Sequence, residues 1–167
     1  MAVLQPWHFG ITVSDLERAI GFYCDGLGLR LRHRQTQDNE YTARMLGYPS
    51  CRIEIAQLQC AAVHGVSQHL IELIQFTSPS AVHQPGPMHR VGTVHVALLV
   101  EEIDEMLARA RRHGARSNSD VVDITAGVNT GGKVVWLTDP DGVLIEIVQP
   151  RPRRTGDDNA PIAQETP

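Results

Sequence analysis

Residues 8–20 read HFGITVSDLERAI and residues 95–107 read HVALLVEEIDEML. Each stretch opens on a histidine, runs through apolar residues to a valine, passes two polar or acidic residues and enters a helical pattern. A second echo lies further along. HLIELIQF at 69–76 and VLIEIVQP at 143–150 share LIE and the following glutamine. The copies keep their order, and the two echoes stand 13 residues further apart in the first half than in the second. Two copies of so long a period do not make a solenoid, so the pattern describes one unit present twice and packed on itself.

Working outward, each unit reads as β-α-β-β-β. In the first, residues 7–13 are a strand, and Ser14 or Asp15 caps a helix over 15–25 that the glycines of CDGLGL end. Strands follow at 30–35, 52–60 and 69–76, the last two joined by a turn near Gly65. In the second, 93–100 is a strand and 102–113 a helix with Ile103, Met106, Leu107 and Ala110 on one face, closed by Gly114. Strands at 120–125, 133–138 and 143–149 complete it, with Asp139-Pro140-Asp141-Gly142 as a hairpin turn. This order predicts an α+β fold of two paired βαβββ modules.

The domain reading is a single domain over residues 1–150, built from modules 6–80 and 90–150. Residues 151–167 carry proline and charge with Ile162 as their one large aliphatic side chain, which predicts a disordered tail. The chain has 167 residues, 42% hydrophobic and 20% charged, with net charge −4, enough apolar material for a core and no basic stripe for nucleic acid. No run approaches the ~18 apolar residues of a membrane span, and the first residues lack signal-peptide character. The expected location is cytoplasmic. Cys24, Cys51 and Cys60 are widely spaced and suggest neither a disulfide framework nor a zinc ribbon.

Four residues occupy matched places in the repeat: His8, Glu72, His95 and Glu146. Strand alternation sets His8, Gly10 and Thr12 opposite Ile11 and Val13, and His95 opposite Val94, Val96, Leu98 and Val100. Glu72 and Glu146 sit in the middle of apolar strands, where a carboxylate is costly to bury unless it is paired or bound to metal. If the two units pack their sheets around one cleft, two imidazoles and two carboxylates converge. That donor set suits one divalent ion: Ni, Co, Zn, Mn or Fe(II).

The sequence resembles the vicinal oxygen chelate superfamily, which includes glyoxalase I, methylmalonyl-CoA epimerase, extradiol dioxygenases and the fosfomycin and bleomycin resistance proteins. The resemblance is carried by 8–29, 69–76, GTVHVALLVEEIDEMLARARRHGA at 92–115 and GGKVVWLTDPDGVLIEIVQP at 131–150. It implies paired modules forming a curved sheet around a metal held by His8, Glu72, His95 and Glu146. A complete His-Glu-His-Glu set looks like the isomerase and epimerase branch, nearest to glyoxalase I-like and methylmalonyl-CoA epimerase-like members.

The expected activity is therefore a divalent-metal-dependent lyase, isomerase or epimerase, acting by proton abstraction beside a metal-bound carbonyl of a small oxygenated substrate. Glu146 and Glu72 are the candidate bases. Two alternatives remain. A single-domain extradiol-type dioxygenase of this family leaves the position of Glu72 without a ligand, and an antibiotic-binding protein of the same fold lacks the metal. Leu73-Ile74-Gln75-Phe76 after Glu72 departs from the polar run of glyoxalase I, which argues against a glutathione adduct as substrate. Substrate contacts are expected from Tyr41 and Arg44, on a short helix that Asp38 caps, and from Asn129 in the loop TAGVNTGGK at 125–133. Free sheet edges and the commonness of two-fold pairing predict a homodimer, with metal sites within each chain or across the interface.

Overall fold

The computed structural model describes residues 7–60, 71–83, 86–117 and 119–152. The expected turn near Gly65, His69 and Leu70 of the predicted strand, and the tail from Arg153 onward lie outside the described residues.

In the first module, β1 (Phe9–Thr12) leads into α1 (Leu16–Gly21), which widens into a π-helical turn over Phe22–Gly26. There follow β2 (Arg30–Gln37), α2 (Glu40–Leu46), β3 (Arg52–Gln59) and β4 (Ile71–Ser78). The second module consists of β5 (His95–Leu99), α3 (Ile103–Arg112), β6 (Arg116–Ser117), β7 (Val122–Asp123), β8 (Lys133–Thr138) and β9 (Leu144–Gln149). The sheets have the same plan. One runs β1-β4-β3-β2; the other runs β5-β9-β8, with β6 and β7 both on β8. In each, the first strand is parallel to the last and the remaining pairs are antiparallel. The fold is α+β, made of paired βαβββ modules.

Three local expectations need correction. The strand predicted over 120–125 is shortened to Val122–Asp123, and Arg116–Ser117, outside any predicted strand, pairs separately with β8. Val94 lies outside β5 and is 73% exposed. The cap of α2 is Asn39, not Asp38. The Asn39 side chain accepts from the Thr42 N–H at 2.9 Å, while Asp38 pairs with Arg52 at 3.1 Å.

The repeated glutamines explain how each helix is fixed to its sheet. The Gln75 side-chain oxygen accepts from the Leu16 N–H, and that of Gln149 accepts from the Ile103 N–H, both at 2.8 Å. Each thereby satisfies one of the orphan amides at a helix start and ties the helix to the strand that carries the glutamate. Asp15 supplies a second cap for α1 through the Arg18 N–H.

One core unites the modules. Ile11, Val13, Leu58, Ile71 and Leu73 from the first sheet join Val96, Val135, Leu137, Ile145 and Ile147 from the second, with Phe22, Tyr23, Ile103 and Leu107 from the helical segments. Each such side chain contributes about 1.5–3 kcal/mol on burial. A Cβ on Gly26 would stand 3.1 Å from the His113 Cβ, so the end of α3 approaches the π turn this closely only because position 26 is glycine.

The DPDG turn latches the modules together. Gly142 adopts φ +90, which glycine takes without strain. Asp141 receives the Ser14 hydroxyl at 2.7 Å, the Ser14 N–H at 3.0 Å and the Arg18 guanidinium at 2.6 Å. Burial pushes Asp141 up, but the bonds from Ser14 and the charge of Arg18 outweigh it and hold the carboxyl below its usual value. Asp139, 3% exposed, accepts from the Tyr23 hydroxyl at 3.1 Å. Burial dominates at Asp139 and raises its pKa, against the opposing bonds from the Val143 and Asp141 N–H groups and from Tyr23.

Candidate metal centre

The first His–Glu pair is assembled by the parallel ladder of β1 and β4, in which Gly10 stands opposite Glu72. His8, two residues before Gly10, directs its Nε2 to within 3.7 Å of Glu72 Oε1. The second pair repeats the register. Ala97 of β5 stands opposite Glu146 of β9, and His95, two residues before Ala97, places Nε2 3.4 Å from Glu146 Oε2. Two donors bound to one ion at about 2.0–2.2 Å and at roughly 90–109° lie about 3.0–3.5 Å apart. The second pair has this spacing, and the first lies slightly beyond it.

The chain does not bring all four together. Among the described residues, no three His, Cys, Asp or Glu side chains lie within reach of one ion. The reason is in the sheet faces. Ile71 and Leu73 turn into the shared core, so Glu72 between them turns away; Ile145 and Ile147 do the same for Glu146. Both pairs therefore lie on faces that the other module of the same chain leaves uncovered. Leu99, on the His95 face of β5, is 73% exposed. A groove of about 1250 Å³ runs past Ala97 and Leu99. A cavity of about 420 Å³ lies instead at the latch, between Ser14, His83, Arg90 and Asp141.

The surroundings of the two carboxylates differ. Gln57 stands opposite Glu72 across β3 and β4 and donates its amide N–H to Glu72 Oε2 at 3.2 Å. Ile55 and Ile53 continue the same face, opposite Ile74 and Phe76. At the matching place beside Glu146 is Trp136, whose ring lies 4.5 Å from that of His95. Sequence reasoning singles out neither Trp136 nor Gln57. Neither appears in the repeat, and the cross-strand register that gives them their places is not written in local periodicity.

The expected substrate contacts lie apart from the pairs. Tyr41 and Arg44 are exposed on α2, where with Glu40 and Met45 they border a shallow surface depression. Tyr48, just beyond that helix, is the residue that reaches the pair-bearing face, with its ring 6.0 Å from that of Phe76. Asn129 is exposed in the loop before β8, which enters the sheet at the Lys133–Gln149 rung, three rungs from the Trp136–Glu146 rung.

Comparison with known proteins bears on these pairs. The family model described as "Glyoxalase/Bleomycin resistance protein/Dioxygenase superfamily" matches residues 6–147. A lactoylglutathione lyase from Haemophilus influenzae is 27% identical over 156 residues, which cover 92% of this chain and 98% of that protein. A 2-epi-5-epi-valiolone epimerase from an Actinomyces species is 26% identical, over 84% of this chain and 76% of that protein. Among solved structures, a glyoxalase family protein from Bacillus cereus superposes with a TM-score of 0.77 at 28% identity, covering 91% of this chain and 97% of its own.

Proposed function

This chain belongs to the Glyoxalase/Bleomycin resistance protein/Dioxygenase superfamily, and within it we propose a divalent-metal-dependent isomerase, epimerase or lyase whose metal sites are completed across a homodimer. The observation that carries the reading is the two His–Glu pairs, with nitrogen-to-oxygen distances of 3.7 and 3.4 Å, each facing away from the core of its own chain. In a two-fold dimer, His8 and Glu72 of one protomer meet His95 and Glu146 of the other, and two equivalent sites form. The open edges of β1 and β5 and the exposed Leu99 are surfaces that such pairing covers. Imidazole and carboxylate donors suit Ni, Co, Zn, Mn or Fe(II).

A divalent ion held there supplies Lewis-acid polarisation of a substrate oxygen, which acidifies the neighbouring C–H. The chain's residues do the rest. Glu146 and Glu72 approach the substrate from opposite modules, and a carboxylate within hydrogen-bond reach takes the proton and returns it. Ile53, Ile55, Ile74 and Phe76 form an apolar floor beside Glu72 that excludes water from the exchange. Glu72 faces His8 rather than turning from it, which favours a four-ligand set over the three-ligand set expected of a dioxygenase. In this reading the substrate is a small oxygenated molecule.

Elemental analysis combined with light scattering tests the proposal. The expected result is a dimer holding two ions per pair of chains. A monomer that binds one ion at full occupancy overturns the shared site, and a metal-free dimer after incubation with each of the five ions overturns the metal reading.

A further inference from the structure

The two half-sites are equivalent by repeat and by register, yet the side chain that stands opposite the glutamate differs in kind. In the first module it is Gln57, whose amide holds Glu72 Oε2 at 3.2 Å while Oε1 faces His8. In the second it is Trp136, and among the described residues Glu146 meets no amide donor, only the imidazole of His95. The Glu72 side chain is also the more buried of the two, 14% exposed against 25% for Glu146.

A hydrogen bond to one carboxylate oxygen fixes the plane of the group and leaves the other oxygen to ligate. Such supporting contacts govern how firmly a metal ligand is held. A carboxylate against an indole has no such tether and rotates at lower cost.

The geometry points to Gln57 as a positioning residue that locks Glu72 in its ligating orientation, and to Trp136 as its apolar counterpart that leaves Glu146 to change orientation. This rests on the proposed metal site and ranks its two carboxylates: Glu72 is the more firmly held. The asymmetry belongs to residues outside the His–Glu set.

The test uses Co(II) alone as probe, on the full chain. Affinity is measured by competition with a chromophoric chelator, and ligand geometry by the visible absorption of bound Co(II). Gln57→Met keeps the length and removes the donor. It is expected to lower Co(II) affinity by about 10–100-fold and to shift the absorption band, with the melting temperature of the metal-free protein unchanged. Gln57→Asn keeps the amide but shortens its reach, and gives the same loss should the methionine variant fold poorly. Trp136→Phe is expected to hold Co(II) within a few-fold of the unaltered protein. If the glutamine variants bind Co(II) as tightly as the unaltered chain and with the same spectrum, or if Trp136→Phe loses as much as Gln57→Met, the division of roles is wrong while the metal site stands. If the unaltered chain takes up no Co(II), the site and the inference fall together.

Discussion

The two modules follow one plan, and the places where they part company carry the chemical information. Both have a His two residues ahead of the rung that holds the Glu, a glutamine that caps the helix, and a first strand parallel to the last. The first adds α2, a longer second strand and an amide beside its glutamate; the second has a broken second strand, a tryptophan beside its glutamate and the turn that latches the chain. The more buried pair has its glutamate tethered by the Gln57 amide, and the more exposed pair lies beside the Trp136 ring. Duplication accounts for the shared frame, and divergence of a few cross-strand positions accounts for two unequal His–Glu pairs.

The comparison is broken most severely by removing a histidine. His8→Ala and His95→Ala are each expected to abolish metal retention at micromolar ion. Each should also cost the stabilisation that binding gives, about 4 kcal/mol when free metal exceeds Kd a thousandfold. Melting temperature with and without added metal reads both, and His95→Ala with full occupancy would refute the four-ligand set. Next come the carboxylates. Glu146→Gln is expected to slow deuterium exchange beside a substrate carbonyl by about 10²–10⁴-fold while metal stays bound. Glu72→Gln slows it equally only if both faces of the substrate are worked, as in an epimerisation; a one-base isomerase is spared most of that loss. Exchange at the unaltered rate in both variants leaves the carboxylates as ligands alone.

The latch has a smaller expected effect. Asp141→Asn loosens the contact of the second module's turn with Ser14 and Arg18, at a cost of about 1–3 kcal/mol at neutral pH. Because the folded carboxyl of Asp141 lies below its usual value, its contribution is complete above about pH 4 and disappears as pH falls through the lower folded value. Asp139 acts in the opposite sense. Its raised value makes the ionised form a burden above about pH 4, relieved on protonation. The stability gap between the unaltered chain and Asp141→Asn is therefore expected to be widest near neutrality and to close on acidification. Denaturant midpoints across pH 3–7 check the sign, and a gap that widens toward acid contradicts it. The smallest effect is confined to the first module. Asn39→Ala uncaps α2 for about 1 kcal/mol and is expected to leave the His95–Glu146 pair unchanged, read by hydrogen exchange of the α2 amides.

Much of the frame is legible in the residues themselves. The HFGITV and HVALLV openings, the LIE strands and the DPDG turn predict the modules, their order and the matched places of His8, Glu72, His95 and Glu146, because alternation and turn chemistry are local. α2 is legible as a helix, but its cap shifts from Asp38 to Asn39, since Asp38 finds Arg52 across the turn to β3. Tyr41 and Arg44 stand out as polar and aromatic residues on that helix, yet their side faces outward; Tyr48 meets Phe76 because the chain turns after Gly47. Gln57 carries no signal in its own neighbourhood. It matters only because the β3–β4 register sets it opposite Glu72.

By itself the sequence determined that this protein is built from one βαβββ unit used twice, with a histidine and a glutamate at the same depth in each copy. Those features follow from periodicities of two and about 3.6 residues and from side chains that hydrogen-bond near themselves. The tertiary structure alone decided that each histidine meets the glutamate of its own module, that the two pairs face away from each other's module, and that an amide stands beside one carboxylate and an indole beside the other. Long-range register and the choice of which sheet face enters the core depend on how two distant surfaces pack. A chain that buries Ile71, Leu73, Ile145 and Ile147 in one core necessarily turns Glu72 and Glu146 outward, toward whatever covers those faces.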